Sequence, residues 1–148
     1  MENIIIPPYL QPGDTIGIVA TARKILRLNL EEAAKIPESW GFKVKFGKNV
    51  FGDVNQFSGT GEERAADLQE MLDDPEIEAV ICARGGYGTL RIIDRLDFTK
   101  FKQHPKWIVG YSDITRLHSH IHRNCHVVTL PATMPVNFKL DFFSTESL

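Results

Sequence analysis

Short apolar runs alternate along the chain with longer stretches of helical spacing. Residues 15–20 (TIGIVA) follow the turn signal Pro12-Gly13-Asp14 and read as a buried strand. Residues 28–39 carry helical periodicity, with Pro37 expected to end or kink the helix near Ile36 and Gly41 placed as a stop. Residues 42–46 (FKVKF) alternate with period two, as a half-buried strand does. A glycine- and asparagine-bearing loop over 47–61 comes next. Thr60-x-x-Glu63 then predicts a capping box at the head of a helix through Leu72. Residues 76–83 contain the apolar run Ala79 to Ala83, the pattern of a central parallel strand. The turn Gly85-Gly86-Tyr87-Gly88 leads into a helix over 89–96, and residues 107–111 (WIVGY) form the next strand. Ser112-Asp113 opens a helix through Arg123, and residues 127–130 make a last short strand.

Strands that alternate with helices imply right-handed βαβ units, so the expected fold is α/β: a flavodoxin-like, doubly wound, mostly parallel sheet in a single domain. In such sheets ligands bind beyond the carboxyl ends of the strands. Both glycine-bearing motifs of the chain, RGGYG and GYSD, fall at that edge.

The 148 residues carry 17 basic and 19 acidic side chains, a net charge of −2. That balance argues against nucleic acid as a partner and against a polybasic membrane surface. No apolar stretch approaches the ~18 residues of a membrane span, and the N-terminal MENIIIPPYL does not fit a secretory signal. Two cysteines, Cys82 and Cys125, form no CxxC pair and read as reduced, buried thiols. Together these features place the protein in the cytoplasm. The acidic run Asp67, Glu70, Asp73, Asp74, Glu76 and Glu78 reads as a solvated face, and Trp40 and Trp107 as core. His118 and His122 share a helix face but lack a convincing third ligand, so no metal is assigned; His118 reads as a core histidine and His120 as solvent-facing.

Gly110-Tyr111-Ser112-Asp113 joins a strand directly to a helix, as a nucleophile elbow does, although Ile114 stands where GxSxG has its second glycine. The same tetrapeptide also suits a simple N-cap by Ser112 or Asp113. Likewise, Arg84-Gly85-Gly86-Tyr87-Gly88 suits either an anion nest beside Ser112 or an ordinary βα turn. It meets neither the GxGxxG nor the GxxxxGK[ST] fingerprint, which disfavours a nucleotide or flavin, and no cofactor is assigned.

The two motifs together, with PPYLQPGDTIGIVA, GTGEERAADLQEMLDDPEIEAVICARGGYG and ATMPVNF, resemble the N-terminal half of the serine LD-carboxypeptidases, the family of muramoyltetrapeptide carboxypeptidase and the microcin immunity peptidase. The resemblance implies that Ser112 is the nucleophile. It implies main-chain N–H groups of Asp113 and Gly86 as the oxyanion hole, and Gly85, Tyr87 and Arg84 at the substrate. The implied substrate is a murein tetrapeptide losing a terminal D-amino acid such as D-alanine in peptidoglycan recycling.

In that family a glutamate and a histidine from a C-terminal domain complete the triad, and none of the five histidines here matches that base. The chain therefore reads as the nucleophile domain, ending before the second domain at Phe143-Ser-Thr-Glu-Ser-Leu148, which resembles the opening of the family's next helix. A C-terminal catalytic half is the expected partner, and a family-type homodimer is compatible with the sequence. Alone, the chain is expected to be inactive and to associate through apolar surface; the alternative is a non-catalytic peptide-binding module or a relic. Thr21, Arg23 and Pro131 depart from the family pattern near the ligand-facing loops.

Overall fold

The computed structural model describes residues 3–138. The segment read as the opening of a further helix lies outside the described residues. Five strands form one sheet: β1 (Thr15–Val19), β2 (Lys43–Phe46), β3 (Ile77–Cys82), β4 (Trp107–Gly110) and β5 (Leu130–Pro131). Their order is β2-β1-β3-β4-β5, and every pairing is parallel. The order reverses between β1 and β3, which makes their carboxyl ends the topological switch point.

The helices are α1 (Arg27–Ser39), α2 (Gly61–Asp73), α3 (Leu90–Ile93), α4 (Thr99–Gln103) and α5 (Thr115–Cys125). Alternation along the strands divides the core. Val80, Cys82 and Ile108 face α2 to α5 together with Leu68, Phe101, Leu117 and Ile121. Ile16, Ile18, Ala79 and Ala83 face the other way, onto Leu30 and Ala34 of α1. The capping box forms as the sequence predicts: the Glu63 N–H donates to Thr60 Oγ1 at 3.2 Å, and the Thr60 N–H donates to Glu63 Oε2 at 2.8 Å.

Several expectations shift. Pro37 does not stop α1, which runs on to Ser39. Placed in the last turn it forfeits little of the helix ladder, and Gly41 at φ +92° turns the chain just beyond. The helix expected over 89–96 shortens to Leu90–Ile93. Gln69 of α2 accepts from the Asp97 N–H and donates to the Asp97 carbonyl, and Asp97 Oδ1 accepts from the Thr99 N–H to start α4. The last strand is Leu130–Pro131, because the preceding Val127 pairs instead with Ile5: the Ile5 N–H donates to His126 O and the Val128 N–H to Ile5 O.

Burial corrects three more readings. Asp67 is 4% exposed, its carboxylate held by the Asn49 N–H and Nδ2, and burial pushes its carboxyl pKa up. The rest of the acidic run behaves as a wet face, with Glu70 and Asp74 paired to Lys45. Trp40 is 48% exposed and Trp107 half-buried, because no described helix crosses β4 and β5 on the α1 face. His120 is half-buried against the Phe98 ring, 5.0 Å between centroids, where the sequence placed it in solvent.

Candidate active site

Three loops leave the carboxyl edge of the sheet at the switch point, after β1, β3 and β4. The loop after β4 carries Ser112 in the left-handed region, φ +62°. A serine gains nothing locally from that conformation, which costs roughly 1–2 kcal/mol in an L-residue. It forms because β4 passes straight into a 3-10 turn (Ser112–Ile114) that opens α5. Gly110 permits the close approach, since a Cβ there would stand 2.9 Å from Ile114 Cγ1. Ile114, which breaks the GxSxG spelling, thus packs against the first glycine of the elbow.

The simple cap reading of Ser112 does not hold. The N-cap of the turn is Tyr111, without a side-chain capping bond, and the exposed Ser112 hydroxyl makes no hydrogen bond among the described residues. Asp113 does bond locally in space, but to the other motif: its Oδ2 accepts from the Thr89 N–H at 2.9 Å. GYSD is therefore tied directly to the residue that follows RGGYG.

The glycine turn lies against the serine. A Cβ on Gly85 would stand 3.5 Å from Ser112 Cβ and 3.4 Å from the Tyr111 carbonyl oxygen. Gly86 holds φ +110° and a Cβ there would meet Arg23 Cδ at 2.7 Å, so only glycine fits without displacing that side chain. Of the residues singled out for substrate contact, Gly85 is buried, Arg84 is half-buried with its guanidinium donating to the Lys24 carbonyl, and Tyr87 is exposed. The Tyr87 hydroxyl is held by Arg91 at 2.6 Å. An open cleft of about 640 Å³ adjoins Ser112 on the α5 side, lined by Leu90, Arg116 and His120 among others.

Sequence reasoning missed what braces this edge. Arg64 is 3% exposed, and its Nη1 donates to the carbonyls of Thr21 (2.6 Å) and Gly88 (3.2 Å), one from each flanking loop. Its guanidinium stacks over Phe57 at 4.7 Å, its Nε has no hydrogen-bond partner, and burial pushes its pKa down. Thr21 Oγ1 bonds Thr89 Oγ1 at 2.8 Å, so a continuous network joins Asp113, Thr89, Thr21 and Arg64. The signal for Arg64 was legible: it shares a helix face with Leu68, Met71 and Leu72, an apolar stripe interrupted by one charge.

His118 is buried as expected. Its Nε2–H donates to the Gly110 carbonyl at 2.8 Å, which fixes the tautomer, and Nδ1 is buried without a partner. Neither nitrogen is free to take a proton from the exposed Ser112 hydroxyl, so His118 braces the elbow and does not serve as its base. Burial pushes its pKa down, against the opposing bond to Gly110. The folded state thus favours the neutral ring, and this contribution to stability is complete above the ordinary value near 6.5 and is lost as pH falls through the lowered folded value. His118→Gln, which keeps a donor for Gly110, is expected to flatten the loss of stability on going from pH 7 to pH 5, measured as urea midpoints. Parallel pH slopes in both proteins would reject that role.

Burial also pushes the Cys82 thiol up to about 12, which leaves it inert under the sheet edge. Among the described residues no group of three or more potential metal ligands comes together.

Fold and site define an α/β domain built around a strained serine between a strand and a helix, with a glycine turn beside it. The sequence profile of the LD-carboxypeptidase N-terminal domain matches residues 16–132. The chain belongs to this family. It is 43% identical over 128 residues to the "Probable murein peptide carboxypeptidase" of Bacillus subtilis, covering 86% of this chain and 40% of that protein. Identity to the murein tetrapeptide carboxypeptidase of Pseudomonas aeruginosa is 34% over 116 residues, 77% of this chain and 38% of the relative. The solved muramoyltetrapeptide carboxypeptidase of Oxalobacter formigenes superposes with a TM-score of 0.76 at 27% identity, over 89% of this chain and 45% of that one. The chain thus spans about two fifths of the length of the curated relatives it matches. No described helix is long and apolar enough to cross a membrane.

Proposed function

We propose that this chain supplies the nucleophile domain of a serine LD-carboxypeptidase that removes a terminal D-amino acid, such as D-alanine, from murein tetrapeptide in cytoplasmic peptidoglycan recycling. The observation that carries the reading is Ser112 at φ +62° with a free hydroxyl, directly beside the Gly85-Gly86 turn. Ser112 Oγ attacks the carbonyl of the L-centre, and its proton passes to a base. The C–N bond then breaks, the D-amino acid leaves with that proton on its amine, and water hydrolyses the ester left on Ser112. The N–H groups of Asp113 and Gly86 receive the developing oxyanion. By resemblance to the family, the base and its orienting carboxylate come from a C-terminal domain, and His118 of this chain is committed to Gly110.

The test is D-alanine release from murein tetrapeptide by the 148-residue chain, alone and mixed with the C-terminal half of a relative. Release only on mixing supports the proposal. Release by the chain alone would place a base among its own residues, and silence in both would favour a peptide-binding module. In the active mixture, Gly86→Ala is expected to lower kcat by about 10² by displacing one oxyanion donor, with KM nearly unchanged. An unaltered kcat would remove Gly86 from the oxyanion hole.

A further inference from the structure

Arg23, Arg84 and Arg91 gather at the glycine turn, and among the described residues none of the three has a carboxylate within ion-pair distance. Two of these cations are engaged by neutral acceptors. Arg84 donates to the Lys24 carbonyl at 3.1 Å, and Arg91 donates to the Tyr87 hydroxyl at 2.6 Å. Arg23, which departs from the family pattern, has an exposed side chain with no hydrogen bond among the described residues. Asp53 lies close by in sequence to the facing loop but is taken by Lys24. The backbone under Arg23 is fixed: it bridges to Phe57, the Ser58 N–H donates to Ala22 O, and the Lys24 N–H donates to Gln56 O. Its stem lies on the turn, since a Cβ on Gly86 would meet Arg23 Cδ at 2.7 Å and Nε at 3.1 Å. A Cβ on the preceding Gly85 would stand 3.5 Å from Ser112 Cβ. Adjacent glycines thus bring a serine and an unpaired cation to one turn.

We propose that Arg23 receives the C-terminal carboxylate of the peptide substrate and so confines cleavage to the last residue. This role rests on Ser112 as nucleophile and on the Gly86 N–H as an oxyanion donor. In a peptide cut at its last bond, the amide nitrogen and one α-carbon separate the attacked carbonyl carbon from the terminal carboxylate. That reach is under about 4 Å, so a carbonyl seated at the Gly86 N–H carries its carboxylate to the side chain packed on Gly86. A guanidinium meets a carboxylate through two parallel N–H···O bonds. A terminal amide, or a chain that continues past this point, cannot complete that pair and leaves the cation without its counter-charge. Arg84 and Arg91 add positive charge to the same edge and strengthen its pull on an anion.

Binding tests this without any turnover. Murein tetrapeptide and its C-terminal amide are each titrated by NMR into the full chain carrying Ser112→Ala. The acid is expected to bind about ten-fold tighter than the amide, a preference that weakens with added salt. Adding Arg23→Gln should abolish the preference, and Arg23→Lys should restore part of it, because an ammonium keeps the charge without the fork. The Arg23 head is exposed and unbonded, so neither change should lower Tm by more than about 2 °C. In the active mixture with a C-terminal half, Arg23→Gln should raise KM about ten-fold and leave kcat within about two-fold. A methyl at Gly86 shifts only the stem of Arg23, whose remaining rotations still carry the guanidinium to the carboxylate. A preference for the acid that survives Arg23→Gln overturns the proposal. So does a chain with Arg23 intact that binds acid and amide alike, or binds neither. Silence of the mixture with the Arg23-dependent preference intact would count against the peptidase reading and leave Arg23 as the carboxylate site.

Discussion

Replacing Ser112 by alanine is expected to lower D-alanine release by the reconstituted enzyme by about 10⁴ to 10⁶, the range seen when a serine nucleophile is removed. Its effect on stability should be near zero, because the exposed hydroxyl makes no hydrogen bond and alanine suffers the same left-handed strain. Ser112→Gly separates the two roles. It should be equally inactive yet more stable than the parent by about 1 kcal/mol, since glycine tolerates φ +62° without penalty. Measuring kcat and the urea midpoint on all three proteins checks both statements together. Substantial residual activity in Ser112→Ala would move the nucleophile elsewhere, and an unchanged midpoint in Ser112→Gly would mean the elbow stores no strain.

Arg64→Ala is expected to be the most damaging single change away from the serine. It removes the donor shared by the Thr21 and Gly88 carbonyls, uncovers one side of Phe57 and leaves a cavity under the glycine turn. Lost bonds from a charged donor and the cavity together outweigh the relief of no longer burying an unpaired cation, for a net loss of about 3 kcal/mol. For a domain of this size that corresponds to a Tm lower by about 6–12 °C. Arg64→Lys should recover part of it, since an ammonium can reach one carbonyl. A drop in Tm below about 2 °C for Arg64→Ala would show that the two loops hold their positions without the bridge.

Both predictions concern one edge of the sheet, and the chain reaches that edge by local rules. The apolar runs, the Thr60 capping box and the glycines after β3 fix where strands end and turns begin, because these signals depend on near neighbours. The sequence therefore sufficed for an α/β fold, for its alternating elements and for the placing of RGGYG and GYSD at the ligand edge. Where local rules competed with distant contacts, they failed. Gln69 clamps Asp97 and cuts the third helix short, Ile5 takes the pairing expected of Val127, and Asn49 allows Asp67 to be buried.

The same division applies to the site. The sequence by itself determined which residues could do chemistry: a serine at a strand-to-helix junction and paired glycines free to take positive φ. The tertiary structure alone set aside the cap reading of Ser112, because a backbone angle of +62° there is imposed by β4 and α5 together and is encoded in no tetrapeptide. It likewise decided that Asp113 reaches across to Thr89, that Arg64 joins two loops, and that His118 spends its donor on Gly110. Each of these bonds spans residues far apart in sequence or turns on a side chain's direction, and such contacts exist only once the sheet has brought its carboxyl ends together.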